Sequence, residues 1–263
     1  MMSLIEIDDA ALVDAIDDSP GTSVGKALAL LEAFETIDVS LGVSELARRT
    51  GIPKSTAFRL LAILEQRQLI DRQGTRYMLG KHLFELGNRV SFCRPRSLRD
   101  ISLPYLSDLY ELTHETVHLA ILEGTDVLYL EKLFGHRQVR APSMVGGRVP
   151  AYCSAIGKAL LSASDAETKQ AVLERGLTPR TGYTIVIESL FEEELHAVRD
   201  RGVAFDHEES TVGVNCVASP VITRTGRLAG AVSICGPTGR FSPTAVAGAV
   251  EQAARAIGLA VPG

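Results

Sequence analysis

Several features are scarce or missing in these 263 residues, and each absence narrows the reading. No stretch approaches the roughly 18 consecutive apolar residues of a membrane span, and the N-terminus is acidic where a secretory signal is basic. A cytoplasmic protein is therefore expected. Only four cysteines are present, Cys93, Cys153, Cys216 and Cys235. They lie far apart, with no C-x-x-C pair and no histidine cluster at zinc spacing, which argues against a disulfide framework and for free, mainly buried thiols in a reducing compartment. There is no internal repeat and no low-complexity tract, and nothing in the chain implies a cofactor.

An excess of positive charge is missing too: the formal net charge is -5. That sum hides an asymmetry. Residues 1–20 carry six acids and no base, residues 21–94 carry eleven Lys/Arg against seven Asp/Glu, and the rest of the chain is again acidic. A basic island between acidic flanks is what local binding of phosphate requires. The acidic tail, residues 1–20, reads as a mobile leader. Hydrophobic residues at 46% and charged residues at 22% match packed globular proteins, and the length fits two domains, one small and one of ordinary size.

From Ser23, the apolar residues Val24, Ala27, Leu28, Leu31 and Phe34 recur at helical spacing, with Ser23 placed to cap the first turn. After a polar break at 38–40, residues 43–49 read as a second helix, with Gly42 as a permitted cap and Gly51 as its stop. Pro53 then opens a third helix, running from 54 to about 67. On it, Ala57, Leu60, Leu61 and Leu64 fall at i, i+3, i+4 and i+7 and form the inward face. Ser55, Arg59, Ala62 and Gln66 point the other way, with Lys54 and Thr56 on the exposed first turn. Phe58 falls at the edge of the packed face, as core or rim. Two strand-like runs follow, 69–72 and 76–79, joined by Gln73-Gly74-Thr75 into a hairpin with a basic tip.

Three helices with a Gly-x-Pro turn between the second and third, then a basic hairpin, make a winged helix-turn-helix. Such a helix fits the major groove of double-stranded DNA, offers free N–H groups to phosphate at its N-terminus, and aims outward side chains at base edges. Ser55, Thr56 and Arg59 are assigned to the groove, with Arg59 the specific reader because its fork can bond guanine at two points. Lys54, Arg72 and Arg76 are assigned to phosphates, which set register without reading sequence. The division expected is a DNA-binding domain over 21–80 and a connector helix over 81–95.

The larger domain, 96–263, is expected to open with a helix at 98–113 and strands at 116–122 and 127–133. A Gly/Pro-rich loop at 142–150 and a helix from about 153 follow. Further helices are expected at 167–175 and 190–201, strands at 215–222 and 227–234, and a last helix at 244–259. Antiparallel strands with flanking helices indicate an α+β fold.

The segments Gly51-Ile52-Pro53-Lys54-Ser55-Thr56-x-x-Arg59-Leu60-Leu61, Tyr77-x-Leu79-Gly80, Ala155-x-Gly157-Lys158-Ala159, Gly202-x-Ala204-x-Asp206-x-Glu208-Glu209, Gly213-x-x-Cys216-x-Ala218-x-Pro220 and Ser233-x-x-Gly236-Pro237 stand in order along the chain. On these the chain resembles the IclR family of bacterial transcriptional regulators, from about Ser23 to the last helix. The resemblance implies a GAF-like effector-binding domain, a homodimer or homotetramer partly formed through the connector, and no enzymatic activity. It also implies a site for a small carboxylate, which mapped residue by residue falls on Ala155, Ile156, Asp206, Cys216 and Ser233. This chain departs from the family at Cys235, where serine is common, and at Ile156, which is bulkier than usual; both make the pocket more apolar and favour a larger or aromatic acid. The chemistry agrees, since a helix N-terminus after Ser154 receives an anion, and Asp206 accepts from a ligand hydroxyl or water.

The sharpest competing reading is His114-Glu115-Thr116-Val117-His118, an H-E-x-x-H pattern of zinc-dependent metallohydrolases. That motif needs both histidines on one helical face. Here β-branched Thr116 and Val117 lead into a buried strand and His114 ends the preceding helix, so the imidazoles are expected to diverge. Gly157-Lys158-Ala159 suggests a phosphate loop, but Tyr152 replaces its first glycine and Ala159 lacks the hydroxyl that holds magnesium. Glu208 and Glu209 read as solvated or structural charges. The function expected is a transcriptional regulator, repressor or activator, whose grip on operator DNA responds to a small organic acid.

Overall fold

The computed structural model describes residues 21–34, 40–136 and 143–262. The acidic leader lies outside these residues, as do most of the polar break before the second helix and the first residue of the Gly/Pro-rich loop. The chain divides into two compact units, Met1–Val90 and Ser91–Gly263.

In the first unit, α1 (Ser23–Glu32), α2 (Val43–Thr50) and α3 (Lys54–Gln66) precede a small sheet of β1 (Leu41–Gly42), β2 (Ile70–Gln73) and β3 (Arg76–Leu79), ordered β1-β3-β2 and antiparallel throughout. The cap of α1 is Thr22 rather than Ser23: its hydroxyl accepts from the Gly25 N–H, and Ser23 is already helical. The face α1 buries is also rotated from the expectation. Leu30 is sealed, Ala27, Leu31 and Phe34 pack beside it, and Val24 and Leu28 stay exposed. Gly51 ends α2 at φ +68°, a left-handed conformation glycine adopts without strain. Pro53, in extended conformation, caps α3 from outside, and its carbonyl accepts from the Ala57 N–H. The predicted inward set, Ala57, Leu60, Leu61 and Leu64, is buried against Leu30, Leu46, Ile52, Ile70 and Tyr77. Strand β1, two residues long, is too short to leave a periodic signal.

The connector helix is shorter than expected. α4 (Lys81–Gly87) stops at Asn88, whose side-chain amide turns back to donate to the Phe84 carbonyl and competes with continuation of the helix. A 3₁₀ turn at Ser91–Cys93 follows.

The second unit is a six-stranded antiparallel sheet with helices on both faces. Its elements are α5 (Leu98–Thr113), β4 (Thr116–Glu123), β5 (Asp126–Leu133), β6 (Arg148–Pro150), α6 (Ala155–Ser162), α7 (Ala166–Arg175), α8 (Glu188–Arg201), β7 (Ala204–His207), β8 (Val214–Ile222), β9 (Leu228–Pro237) and α9 (Pro243–Ala260). The strand order is β6-β5-β4-β9-β8-β7. Because side chains alternate along a strand, one set of residues points to each face. Val117, Leu119, Val217, Val232 and Ile234 form a core with Leu106, Leu109, Val250, Ala254 and Ile257 of α5 and α9. Ala120, Ala204, Ala218 and Ala231 form the other core with Ile156, Leu160, Val172, Phe191 and Leu195 of α6, α7 and α8. Small residues on this second face leave space between sheet and helices.

Two strands of this sheet escaped prediction: β6, inside the stretch expected to be a loop, and β7, whose polar Asp206-His207 end breaks apolar alternation. The helix expected from about 153 is split. Ala151–Cys153 is a 3₁₀ turn, Ser154 is extended, and α6 starts at Ala155.

Candidate functional site

Two surfaces hold the residues singled out in the sequence, one in each unit. On α3, Lys54, Ser55, Arg59, Ala62 and Gln66 are exposed and Thr56 is half-buried. Phe58 is on the outside, 51% exposed, so it joins this face rather than the core. The first-turn N–H groups of α3 have no helical partners, as at any helix start.

The wing arginines are less free. Arg72 donates from Nε to the Gly74 carbonyl at 2.8 Å and lies over the Tyr77 ring. Arg76 is tied to Ser40, donating to its hydroxyl at 2.7 Å and to its carbonyl, and so pins β3 to the chain entering β1. Part of the Arg76 donor set assigned to phosphate thus serves the fold.

In the second unit, the Ala155, Ile156, Asp206, Cys216, Ser233 and Cys235 picked from sequence all line a single narrow cavity, whose enclosed space is about 30 Å³. Its floor is the small-residue face of β8 and β9, and its end is the N-terminus of α6. There Ser154 caps the helix, accepting from the Gly157 N–H at 3.2 Å. The N–H groups of Ala155 and Ile156 come ahead of the first helical hydrogen bond of α6. Gly157 is required for this geometry: a Cβ there would lie 2.0 Å from the Ala151 carbonyl oxygen, so only glycine lets the 3₁₀ turn close against α6.

Asp206 is fully buried. One carboxylate oxygen accepts from the N–H groups of Glu209 at 2.7 Å and Ser210 at 3.4 Å, and the other accepts from the Ser210 hydroxyl at 2.7 Å. Burial pushes its pKa up to about 7, the negative charge of Glu209 adds to the rise, and the Ser210 bond opposes it. Asp206 therefore holds the turn after β7 as well as facing the cavity.

Sequence reasoning missed several wall residues: His118, Tyr129, Ser143, Cys153, Arg180 and Ser210. The H-E-x-x-H pattern offers His118 only as a zinc ligand. Its Nε2 lies 2.8 Å from the Ser143 hydroxyl and its Nδ1 3.4 Å from that of Ser233. Alternation along β4 signalled this, since 118 shares a face with 120. Arg180 is exposed where it meets the cavity, and its place on a loop between α7 and α8 left no periodic signal.

The H-E-x-x-H residues separate as expected. His114 is left-handed at φ +53° and ends α5, its ring against Tyr110 and His136. Glu115 pairs with Arg240 at 2.9 Å, and His118 turns into the cavity. Among the described residues no group of three or more His, Cys, Asp or Glu is placed to hold a metal ion. The lysine of Gly157-Lys158-Ala159 is sealed from solvent and pairs with Glu209 at 2.5 Å and Glu194 at 3.5 Å. Glu209 is thus a buried structural charge. Glu208, left-handed at φ +63°, accepts from the Gly213 N–H.

Comparison with known proteins matches both units. A family model for the IclR helix-turn-helix domain matches residues 23–74, and one for the bacterial transcriptional regulator IclR C-terminal matches residues 92–259. The chain is 33% identical over 249 residues to the acetate operon repressor of Salmonella typhimurium, covering 92% of this chain and 90% of that one. It is 31% identical over 261 residues to the transcriptional repressor IclR of Escherichia coli, covering 95% and 94%. Among solved structures, an IclR homolog from Microbacterium hydrocarbonoxydans complexed with 4-hydroxybenzoate has the same fold, with a TM-score of 0.84 at 24% identity over 91% of this chain and 99% of that one.

Proposed function

Because this chain belongs to the IclR family of bacterial transcriptional regulators, DNA-binding proteins and not enzymes, we propose how its own residues divide the work. α3 enters the major groove of an operator with Arg59, Ser55 and Thr56 toward base edges. Lys54 and Arg72 hold flanking phosphates, and Arg76 contributes with the donors that Ser40 leaves over. The protein acts in the cytoplasm, where the DNA is, as a dimer or a pair of dimers; exposed Phe84 and Leu86 on α4 offer apolar surface to a second copy.

The cavity of the second unit takes a small organic acid. One observation carries this: six positions scattered between 155 and 235 converge on one cavity, around helix N–H groups that have no partner among the described residues. The carboxylate sits at the N–H groups of Ala155 and Ile156, with Arg180 as countercharge at the mouth. Asp206 and Ser210 face a hydroxyl or a water, and the apolar remainder of Ile156, Val149 and Val214 receives the body of the acid. The aromatic acid in the Microbacterium neighbour favours an aromatic hydroxy acid here. Since the two curated relatives are repressors, the chain is read as a repressor that the acid releases.

Selection of fragments from genomic DNA by the purified chain, followed by titration with hydroxybenzoates and short oxoacids, tests this reading. The expected result is a retained promoter fragment whose affinity falls about 5–150-fold with a saturating acid, the span of ordinary allosteric coupling. Retention of no fragment at low salt sinks the DNA assignment, and an unchanged affinity with every acid that binds sinks the effector assignment.

A further inference from the structure

The cavity wall carries three thiols, Cys153, Cys216 and Cys235, and the geometry sorts them. Cys216 and Cys235 stand opposite each other on β8 and β9. In the same register the Thr238 N–H donates to the Gly213 carbonyl, so 213/238, and by alternation 215/236 and 217/234, are the pairs that exchange backbone hydrogen bonds. Cys216/Cys235 falls between them, at a non-hydrogen-bonded pair. Pro237 opposite Val214 fits the same alternation, since proline has no N–H to give. At such pairs the Cα atoms are about 4.5 Å apart and the side chains approach closely. That lies within the roughly 4.4–6.8 Å over which a disulfide closes without backbone movement. The irregularity in this ladder is at Val221/Ile222, away from the thiols.

The pair is also asymmetric. Cys235 has His118 Nδ1 at 3.8 Å from its sulfur. The neighbouring Cys216 thiol draws the pKa of Cys235 down, and the nearby His118 ring helps; the same neighbour, with burial, pushes Cys216 up. Cys153 lies outside this arrangement. Its S–H is directed at the Pro150 carbonyl, and burial raises its pKa to about 11. The imidazole beside Cys235 marks that sulfur as the nucleophile and Cys216, opposite it, as its partner, whereas the third is inert.

We propose that Cys216 and Cys235 form an oxidisable dithiol in the cavity wall, a reaction site for small hydroperoxides, and that its oxidation closes a cross-strand disulfide. The Cys235 thiolate attacks the terminal oxygen of the hydroperoxide. The O–O bond breaks, the alcohol or water leaves with a proton from solvent, and Cys235 becomes a sulfenic acid. The Cys216 sulfur then attacks the Cys235 sulfur, the S–O bond breaks, and hydroxide departs with the Cys216 proton as water. Two thiols lose two electrons and two protons, and the hydroperoxide is reduced by two electrons. Closure removes the Cys216 S–H and the Cys235 thiolate from the wall an acid must meet, so the oxidised cavity has different chemistry on the same scaffold.

The test uses the full chain, treated with hydrogen peroxide, quenched with N-ethylmaleimide and mapped by mass spectrometry. The expected result is loss of two alkylatable thiols, a peptide pair joining Cys216 to Cys235, and full reversal by dithiothreitol. Cys216→Ser should stop at a sulfenic acid on Cys235 that dimedone traps; Cys235→Ser should leave Cys216 reduced. Should either variant fail to fold, the map of the unaltered chain decides alone. Four alkylated thiols after an exposure that fully oxidises free glutathione, or a first disulfide involving Cys93 or Cys153, overturns the proposal. The effector reading is separable. A disulfide that forms at the same rate with and without saturating acid supports the dithiol and counts against the acid's place in the cavity. Acid-dependent release of DNA with thiols that never pair does the reverse.

Discussion

Replacing Lys158 by methionine removes the ammonium that faces Glu209 while keeping most of the aliphatic volume. The lysine side chain is 1% exposed and that of Glu209 7%, and the two meet at 2.5 Å. The second Glu209 oxygen is buried without a hydrogen-bond partner among the described residues, so Lys158 is the close countercharge to that carboxylate. Glu194 is better placed after the change, because it keeps Arg201 at 2.7 Å. Removing one partner of a buried pair leaves an uncompensated charge and costs roughly 3–5 kcal/mol. For a unit of this size, at roughly 2–4 °C per kcal/mol, melting should fall by roughly 6–20 °C. The chain has no tryptophan, so urea and thermal unfolding are best followed by circular dichroism. The double variant Lys158→Met/Glu209→Leu should recover most of the loss, since replacing both ions with apolar groups of similar volume is often close to neutral. A loss under about 1 kcal/mol for the single variant, or an equal loss for the double, refutes the argument that charge burial rather than packing sets the cost. The pair also bears on the site, because the Glu209 N–H donates to Asp206; a destabilised turn should lower effector affinity even where the fold survives.

Three further outcomes follow from named groups. Arg59→Ala should cost about 1–3 kcal/mol on the operator and relax preference at one base position, whereas Lys54→Ala should weaken binding to all sequences and lower the salt slope by about 1; equal effects of both on every DNA, in filter-binding or anisotropy titrations, would discard that division. Asp206 has a folded-state pKa near 7 against 3.8 as its ordinary value, so the native state binds the proton more tightly and stability should fall as pH rises from about 4 to about 7, by an amount on the order of 4 kcal/mol at most. Asp206→Asn should flatten that fall, and identical urea midpoints for both proteins at about pH 5 and about pH 8 would show that the carboxyl does not titrate there. Gly157→Ala drives a Cβ into the Ala151 carbonyl and should cost more than about 3 kcal/mol, with loss of effector binding, because the obstacle is backbone and not a flexible side chain; a calorimetric melt unchanged from the parent would mean the turn gives way at no cost.

Much of this was legible in the one-dimensional pattern, and unevenly so. The inward face of α3, its opening at Pro53 and the stop at Gly51 follow from local stereochemistry and a period that repeats over several turns. Likewise the divergence of His114 and His118 follows from β-branched neighbours that favour strand over helix. The face buried by α1 is not fixed by periodicity, because that helix is apolar over much of its circumference and only its neighbours select Leu30 over Val24 and Leu28. The length of α4 turned on one hydrogen bond from Asn88.

The cavity belongs to the opposite case. Family resemblance brought Ala155, Ile156, Asp206, Cys216, Ser233 and Cys235 together, whereas no periodicity does, since they come from α6, β7, β8 and β9. Tyr129 and Arg180 joined them only when the fold was assembled, whereas alternation along β4 already signalled His118. Chain order alone determined where α2 stops, where α3 starts and which stripe of α3 is oily, because those depend on interactions a few residues apart. Tertiary structure alone decided that Lys158 is buried beside Glu209, that Arg76 serves Ser40, and that two cysteines nineteen positions apart face one another, because each requires strands and loops distant in sequence to close into register.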